Sequence, residues 1–158
     1  IMQLFTIGLV ELRMDGTVVT DNEGRPVETY DNSDVTGLAR VFTGLGLRGE
    51  NYWPSEDDES IYYTPLEIFP AYHSTSEKSF LGTTIPAGTD AQTSIDIALD
   101  TLFNHPNLAP FISRQLIQRF TTSHPTPAYV QRVATVFETG SFQFPDGQSV
   151  GTGQRGDC

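Results

Sequence analysis

The chain has 158 residues and a formal net charge of −11, and 37% of it is hydrophobic, which is ordinary for a globular domain of this length. Residues 1–100 carry 17 acids against 5 bases, whereas residues 101–158 carry 3 against 4. A surface of that sign argues against nucleic acid and anionic membrane as partners and leaves cations or a basic protein surface open. No apolar run approaches the roughly 18 residues of a membrane span, so this segment holds none. The single cysteine, Cys158, allows no internal disulfide and no cysteine-based metal site.

The chain opens on "IMQLFTIGLVEL", where Met2, Phe5, Leu9 and Leu12 fall at helical spacing and predict a short amphipathic helix ending near Arg13. The uncapped opening and the close on "GQRGDC" read as cut ends. Residues 1–158 are thus expected to be a single domain excised from a longer protein, with any targeting segment upstream. Apolar side chains such as Met2 and Leu4 are then expected to lack cover within this chain. Two β-prone runs, Thr17–Thr20 and Val27–Tyr30, flank "DNEGRP" and predict a hairpin. A helix follows, capped by Asn32 or Ser33, with Val35, Leu38, Ala39 and Phe42 on its core face, Gly37 weakening it, and Gly44 and Gly46 closing it.

Residues 47–88 predict a long irregular loop, with a small hairpin around "KSFLGTTI". Three helices come next. Ile95, Ala98, Leu99, Leu102 and Phe103 mark the first, capped by Thr89 or Asp90. Leu108, Phe111, Ile112, Leu116 and Phe120 mark the second, with Asn107 as cap. Val130, Val133, Ala134 and Phe137 mark the third, with Thr126 as cap and Pro127 at its first position. The Gly-rich tail reads as loop. The expected fold is mainly α: about five helices around one core, with a small β-hairpin and a long irregular loop.

The groups that could carry chemistry are few. "HSTSEKSF" gathers His73, Glu77 and Lys78, the last being the only lysine of the chain. A histidine shuttles protons, and a desolvated lysine binds anions or acts as a nucleophile. The same stretch also reads as a turn into a strand, with Lys78 paired to a carboxylate of the N-terminal part and His73 bonded to backbone of its own loop. That structural reading is preferred. His105 and His124 each precede proline at a helix start and are read as bonding backbone there; a zinc site would need a third ligand. Arg114 and Arg119 stand about 140° apart on a helix, so they share no face. Arg119 is expected to pair with upstream carboxylates, with a carboxylate-binding site as the sharper alternative.

"SEDDES", residues 55–60, lacks the alternating ligands and central glycine of an EF-hand and is expected to hold no calcium. Asp15, Asp21, Asn22 and Glu23 fit turn chemistry without metal. Arg155–Gly156–Asp157 is dismissed as a receptor ligand. No P-loop, GxSxG, HExxH or paired-cysteine site is present, so enzymatic activity stays uncertain, and neither a metal nor another cofactor is assigned.

Several blocks, in this order, resemble the bacterial domain of unknown function 1800 family: "IMQLFTIGLVEL", "YDNSDVTGLARVFTG", "YHSTSEKSFLG", "LFNHPNLAPFISRQLIQRF", "VQRVATVF" and "GQRGD". The chain departs from the family at Leu45, where tryptophan is usual, and at Cys158, where an apolar residue is usual. The resemblance implies a mainly helical fold, membership of longer proteins that are often exported, and no activity; only it points to an exported or periplasmic location. The expected function is a structural or interaction module of a larger exported protein. Its partner would be the remainder of its own longer chain or another protein. The alternative is a hydrolase-like or ligand-binding pocket around His73 and Lys78 with the helix arginines. A third reading is cation or carbohydrate binding through Trp53, the tyrosines and "SEDDES".

Overall fold

A computed structural model describes residues 1–47 and 63–157. Trp53 and "SEDDES" lie outside them. Among the described residues the protein is mainly α. It has four α-helices, α1 (Asn32–Val41), α2 (Ala91–Phe103), α3 (Leu108–Phe120) and α4 (Pro127–Thr139), and a π-helical turn over Met2–Thr6. Three two-stranded antiparallel sheets accompany them: β1 (Leu45–Gly46) with β2 (Glu67–Ile68), β3 (Lys78–Phe80) with β4 (Thr83–Ile85), and β5 (Phe142–Gln143) with β6 (Ser149–Val150). The chain forms two compact units, residues 1–29 with 102–158, and residues 30–101.

In the first unit the opening helix stops far short of Arg13. Gly8 turns the chain at φ +69°, and a Cβ there would lie 2.5 Å from the Phe111 ring, so only glycine fits. Met2 is buried at 6% exposure, contrary to expectation, while Leu4 at 62% is not.

From Gly8 onward the chain makes a small β ring and not a simple hairpin. The antiparallel bridges Leu12↔Val18, Thr20↔Pro26 and Val10↔Glu28 repeat at a spacing of eight residues. Glu11 N–H donates to the Val27 carbonyl (2.9 Å), Val27 to Val19 (3.0 Å) and Val19 back to Glu11 (2.8 Å), which closes a cycle of three backbone bonds. Gly8, Gly16 and Gly24, all at positive φ, mark the three corners. The expected pairing of 17–20 with 27–30 is present in part; the segment 9–13 completes it by pairing with both.

Asn107 fastens this ring to the start of α3. Its amide donates to the carbonyls of Ile7 (2.5 Å) and Val10 (2.9 Å) and accepts from Leu12 N–H (2.6 Å). It therefore makes no side-chain cap on α3, as the sequence had suggested. Helix α4 starts as expected, with Thr126 accepting from Tyr129 N–H and Pro127 at the first position. Leu108, Ala109 and Ile117 of α3 and Val130, Ala134 and Phe137 of α4 are buried where the two helices pack. Gly140 ends α4 in the left-handed region, and beyond it the expected loop contains the β5–β6 hairpin.

In the second unit the cap of α1 is Asp31. Its carboxylate accepts from Ser33 and Asp34 N–H, and Asp34 returns the bond to Asp31 N–H. Those bonds hold the Asp31 carboxyl below its ordinary range. The buried face of α1 is Gly37, Leu38 and Val41, with Val35 and Ala39 turned outward. This rotation from the expected face follows from Gly37, which lets the helix backbone lie directly on β3. The hairpin at "KSFLGTTI" forms as expected; Leu81 (φ 49°) and Gly82 (φ 75°) make its turn, and Leu81 N–H donates to Asp34 (2.6 Å).

Candidate functional site

The stretch around His73 lies in the second unit. The imidazole Nδ1 is 2.9 Å from the Thr43 carbonyl, and Nε2 is 3.4 Å from the Ser94 hydroxyl. Since a carbonyl only accepts, Nδ1 carries the proton and Nε2 faces the hydroxyl as acceptor in the neutral ring. Ser74 N–H donates to Thr43 Oγ1 (2.9 Å), so the whole turn is stitched to the end of α1. His73 thus bonds backbone, as the structural reading expects, but thirty residues away and not in its own loop. It lines a cleft of about 210 Å³ with Thr89 and Asp90. Glu77 lines a different cleft with Arg40 and Ser79, and Lys78 lines neither. His73 and Glu77 thus line different clefts.

Lys78 departs from expectation. Strand β3 alternates buried, exposed, buried, so its register turns Lys78 inward with Phe80, opposite Ile85. The side chain has no exposed surface, and Nζ has no hydrogen-bond partner among the described residues. The carboxylate expected beside it is absent there. Desolvation by burial lowers the amine's pKa from the ordinary lysine value.

The arginines separate likewise. Arg119 is exposed and makes no ion pair among the described residues. Arg114 donates to the Gly16 carbonyl (3.3 Å). It lines a cleft of about 460 Å³ in the first unit with Asp15, Thr17, Gln118, Ser123 and His124. Asp15 Oδ1 accepts from Thr17 N–H (2.9 Å) and Oγ1 (2.6 Å), which lowers the carboxyl pKa. His105 accepts at Nδ1 from Asn107 N–H (3.1 Å); its pKa is lowered by burial, against an opposing effect of Glu11. No group of three His, Cys, Asp or Glu side chains among the described residues could hold a metal ion.

Two residues that matter most were not singled out as such from sequence. Asn107, at a position that suggests a cap, ties the β ring to α3 instead. Arg155 was set aside with its tripeptide, yet it donates from Nε to the Phe103 carbonyl (2.9 Å), from Nη2 to the His105 carbonyl (3.2 Å), and pairs with Glu138. It also lies 5.7 and 5.5 Å from the Phe103 and Phe137 ring centres. The eight-residue glycine spacing, visible in "GLVELRMDGTVVTDNEG", was the available signal for the ring.

Three of the resembling blocks hold packing or hydrogen-bond contacts: the Asp31–Asp34 box with Gly37, Asn107, and Arg155. The family described as "Protein of unknown function (DUF1800)" matches residues 1–146. The chain belongs to this family. No curated protein and no solved structure matches it. Among the described residues no helix is long and apolar enough to cross a membrane.

Proposed function

We propose that this chain of the DUF1800 family is a structural or interaction module of a larger exported protein, docking through an apolar face of its first unit. The observation that carries this reading is the exposure of large apolar side chains there. Phe120 is 80% exposed, Phe5 71% and Leu4 62%, with Leu116 also outward. Gln115 donates to the Leu4 carbonyl (3.2 Å), which sets the π-helical turn beside the α3 row of Ile112 and Leu116. On α3 the charged residue flanking this face is Arg119, about 60° around the helix from Leu116, in a chain of net charge −11. The complementary partner is a protein surface with an apolar stripe flanked by carboxylates. Benzoylphenylalanine at position 120, irradiated in the protein as the cell makes it, is expected to give a discrete protein adduct or an internal crosslink. Phe5→Asp should weaken it. Adducts to lipid alone, or none from folded protein, would overturn the reading.

A second reading has one observation in its favour, the buried amine of Lys78 without a partner among the described residues. Burial disfavours its charged form, and such amines serve as bases or nucleophiles. Because the chain has one lysine, reductive methylation at neutral pH followed by mass spectrometry reports on it directly. Modification faster than in an unfolded peptide supports a reactive amine, and modification only on unfolding removes that reading.

A further inference from the structure

The cleft beside Arg114 stands apart from the apolar face. Arg114 and Gln118 lie one turn apart on α3, whereas Leu116 points about 160° away from Arg114 around the helix. The cleft is built on fixed elements. One wall is the Gly16 corner of the β ring, held so close to α4 that a Cβ at Gly16 would lie 2.9 Å from Val130. A second wall is α3, and the third is the linker to α4, where Gln118 donates to the Ser123 carbonyl (3.2 Å). Its volume of about 460 Å³ lies in the ordinary range of small-molecule sites.

Its charges are arranged in an unusual way for a structural pair. Asp15 and Arg114 line the same cleft, and Arg114 reaches the carbonyl of the residue next to Asp15, yet no ion pair joins them. Each spends only part of its bonding capacity: Asp15 uses Oδ1 on Thr17, and Arg114 uses Nη1 on Gly16. Asp15 Oδ2 and the remaining guanidinium N–H groups have no partner among the described residues. Arg13, whose charge also favours an ionised Asp15, directs its own Nη1 to the Val18 carbonyl (2.8 Å). A plain anion would meet repulsion from Asp15, and a plain cation from Arg114. A molecule bearing both charges satisfies both groups at once.

We infer that this cleft binds a small zwitterion of the amino-carboxylate class, its carboxylate on Arg114 and its ammonium on Asp15. Ser123 and His124 stand at the same cleft as further hydrogen-bonding groups, and Pro125 and Pro127 supply an apolar surface for a side chain.

The test uses the folded chain and isothermal titration with the common L-amino acids one at a time. The best binder is then compared with its amide, which lacks the carboxylate, and its N-acetyl form, which lacks the ammonium. At least one amino acid should bind in the millimolar range or tighter, and each capped form should bind about tenfold more weakly or worse. Arg114→Gln should abolish binding of the amino acid. Asp15→Asn should cost about tenfold for the amino acid and strengthen binding of the N-acetyl form, whose carboxylate then meets no repulsion. Binding of the N-acetyl form equal to that of the parent would make this an anion site, equal binding of the amide a cation site, and no binding at about 10 mM no site. Each of these outcomes overturns the inference, and the capped ligands decide it on the unmutated protein.

Discussion

Replacing Gly37 with alanine sets two effects of opposite sign against each other. In the interior of an exposed helix this change stabilises by about 1 kcal/mol, because glycine loses more backbone freedom. Here the new Cβ would lie 2.7 Å from the Ser79 carbonyl carbon, nearer still to its oxygen, and 3.4 Å from Phe80 Cβ. Backbone cannot swing aside as a side-chain tip can, so α1 and β3 must part by about 1.5 Å to bring that oxygen to ordinary contact. The seam they share buries Leu38, Val41 and Phe80, each stabilising by about 1.5–3 kcal/mol. A gap of that size forfeits about half of the contact energy. After the propensity gain is subtracted, the net loss is about 2 kcal/mol, or roughly 4–8 °C in midpoint for a chain of this length. A circular-dichroism melt measures it, with Gly24→Ala as control: that corner has open space, and its positive φ alone should cost about 1 kcal/mol. An unchanged or raised midpoint for Gly37→Ala would refute the close α1–β3 packing.

Lys78→Met should raise the thermal midpoint, since it removes a buried amine that has no partner among the described residues; a lowered midpoint would reveal a partner. The folded amine binds its proton less tightly than the unfolded one. Its penalty is therefore full at low pH and is relieved as pH rises from the lowered folded pKa toward the ordinary 10.5, so the gap between wild type and variant should narrow across that window in melts at stepped pH. Asn107→Ala leaves the carbonyls of Ile7 and Val10 and the N–H of Leu12 without their partner, and should cost about 2–4 kcal/mol in urea unfolding. Arg155→Ala should cost about 2–3 kcal/mol and speed amide exchange at Gly156, whose N–H donates to the Phe137 carbonyl; slow exchange retained there would show that Arg155 does not hold the tail.

The parts legible in sequence are those written locally. Helix α4 has its cap, its proline and its apolar rows within a few residues of one another, and all agree. The β3–β4 hairpin was visible because apolar residues flank a Leu–Gly turn. The face of α1 was misjudged because a hydrophobic pattern does not register a glycine used as a contact surface. The β ring was missed because each eight-residue unit makes a single bridge, too short for alternation to show. The same limit applied to the candidate site. Arg155 finds its partners 17 to 52 residues away, and Lys78 looked like half of an ion pair because lysine in an acidic chain usually is. Arg114 was named, but Asp15, read only as a turn residue, belongs beside it in the cleft.

The β ring also has a use in handling this protein. Its three corners are chemically alike, yet their surroundings differ: Phe111 stands over Gly8 and Val130 over Gly16, while nothing stands over Gly24. The bonds that close the cycle run through Glu11, Val19 and Val27, none of which is at that corner. The stretch Asn22–Gly24 is therefore a natural port where a tag, a fluorophore or a short epitope can be spliced in while the docked corners keep their places. A probe mounted there would report on the protein without touching the Arg114 cleft.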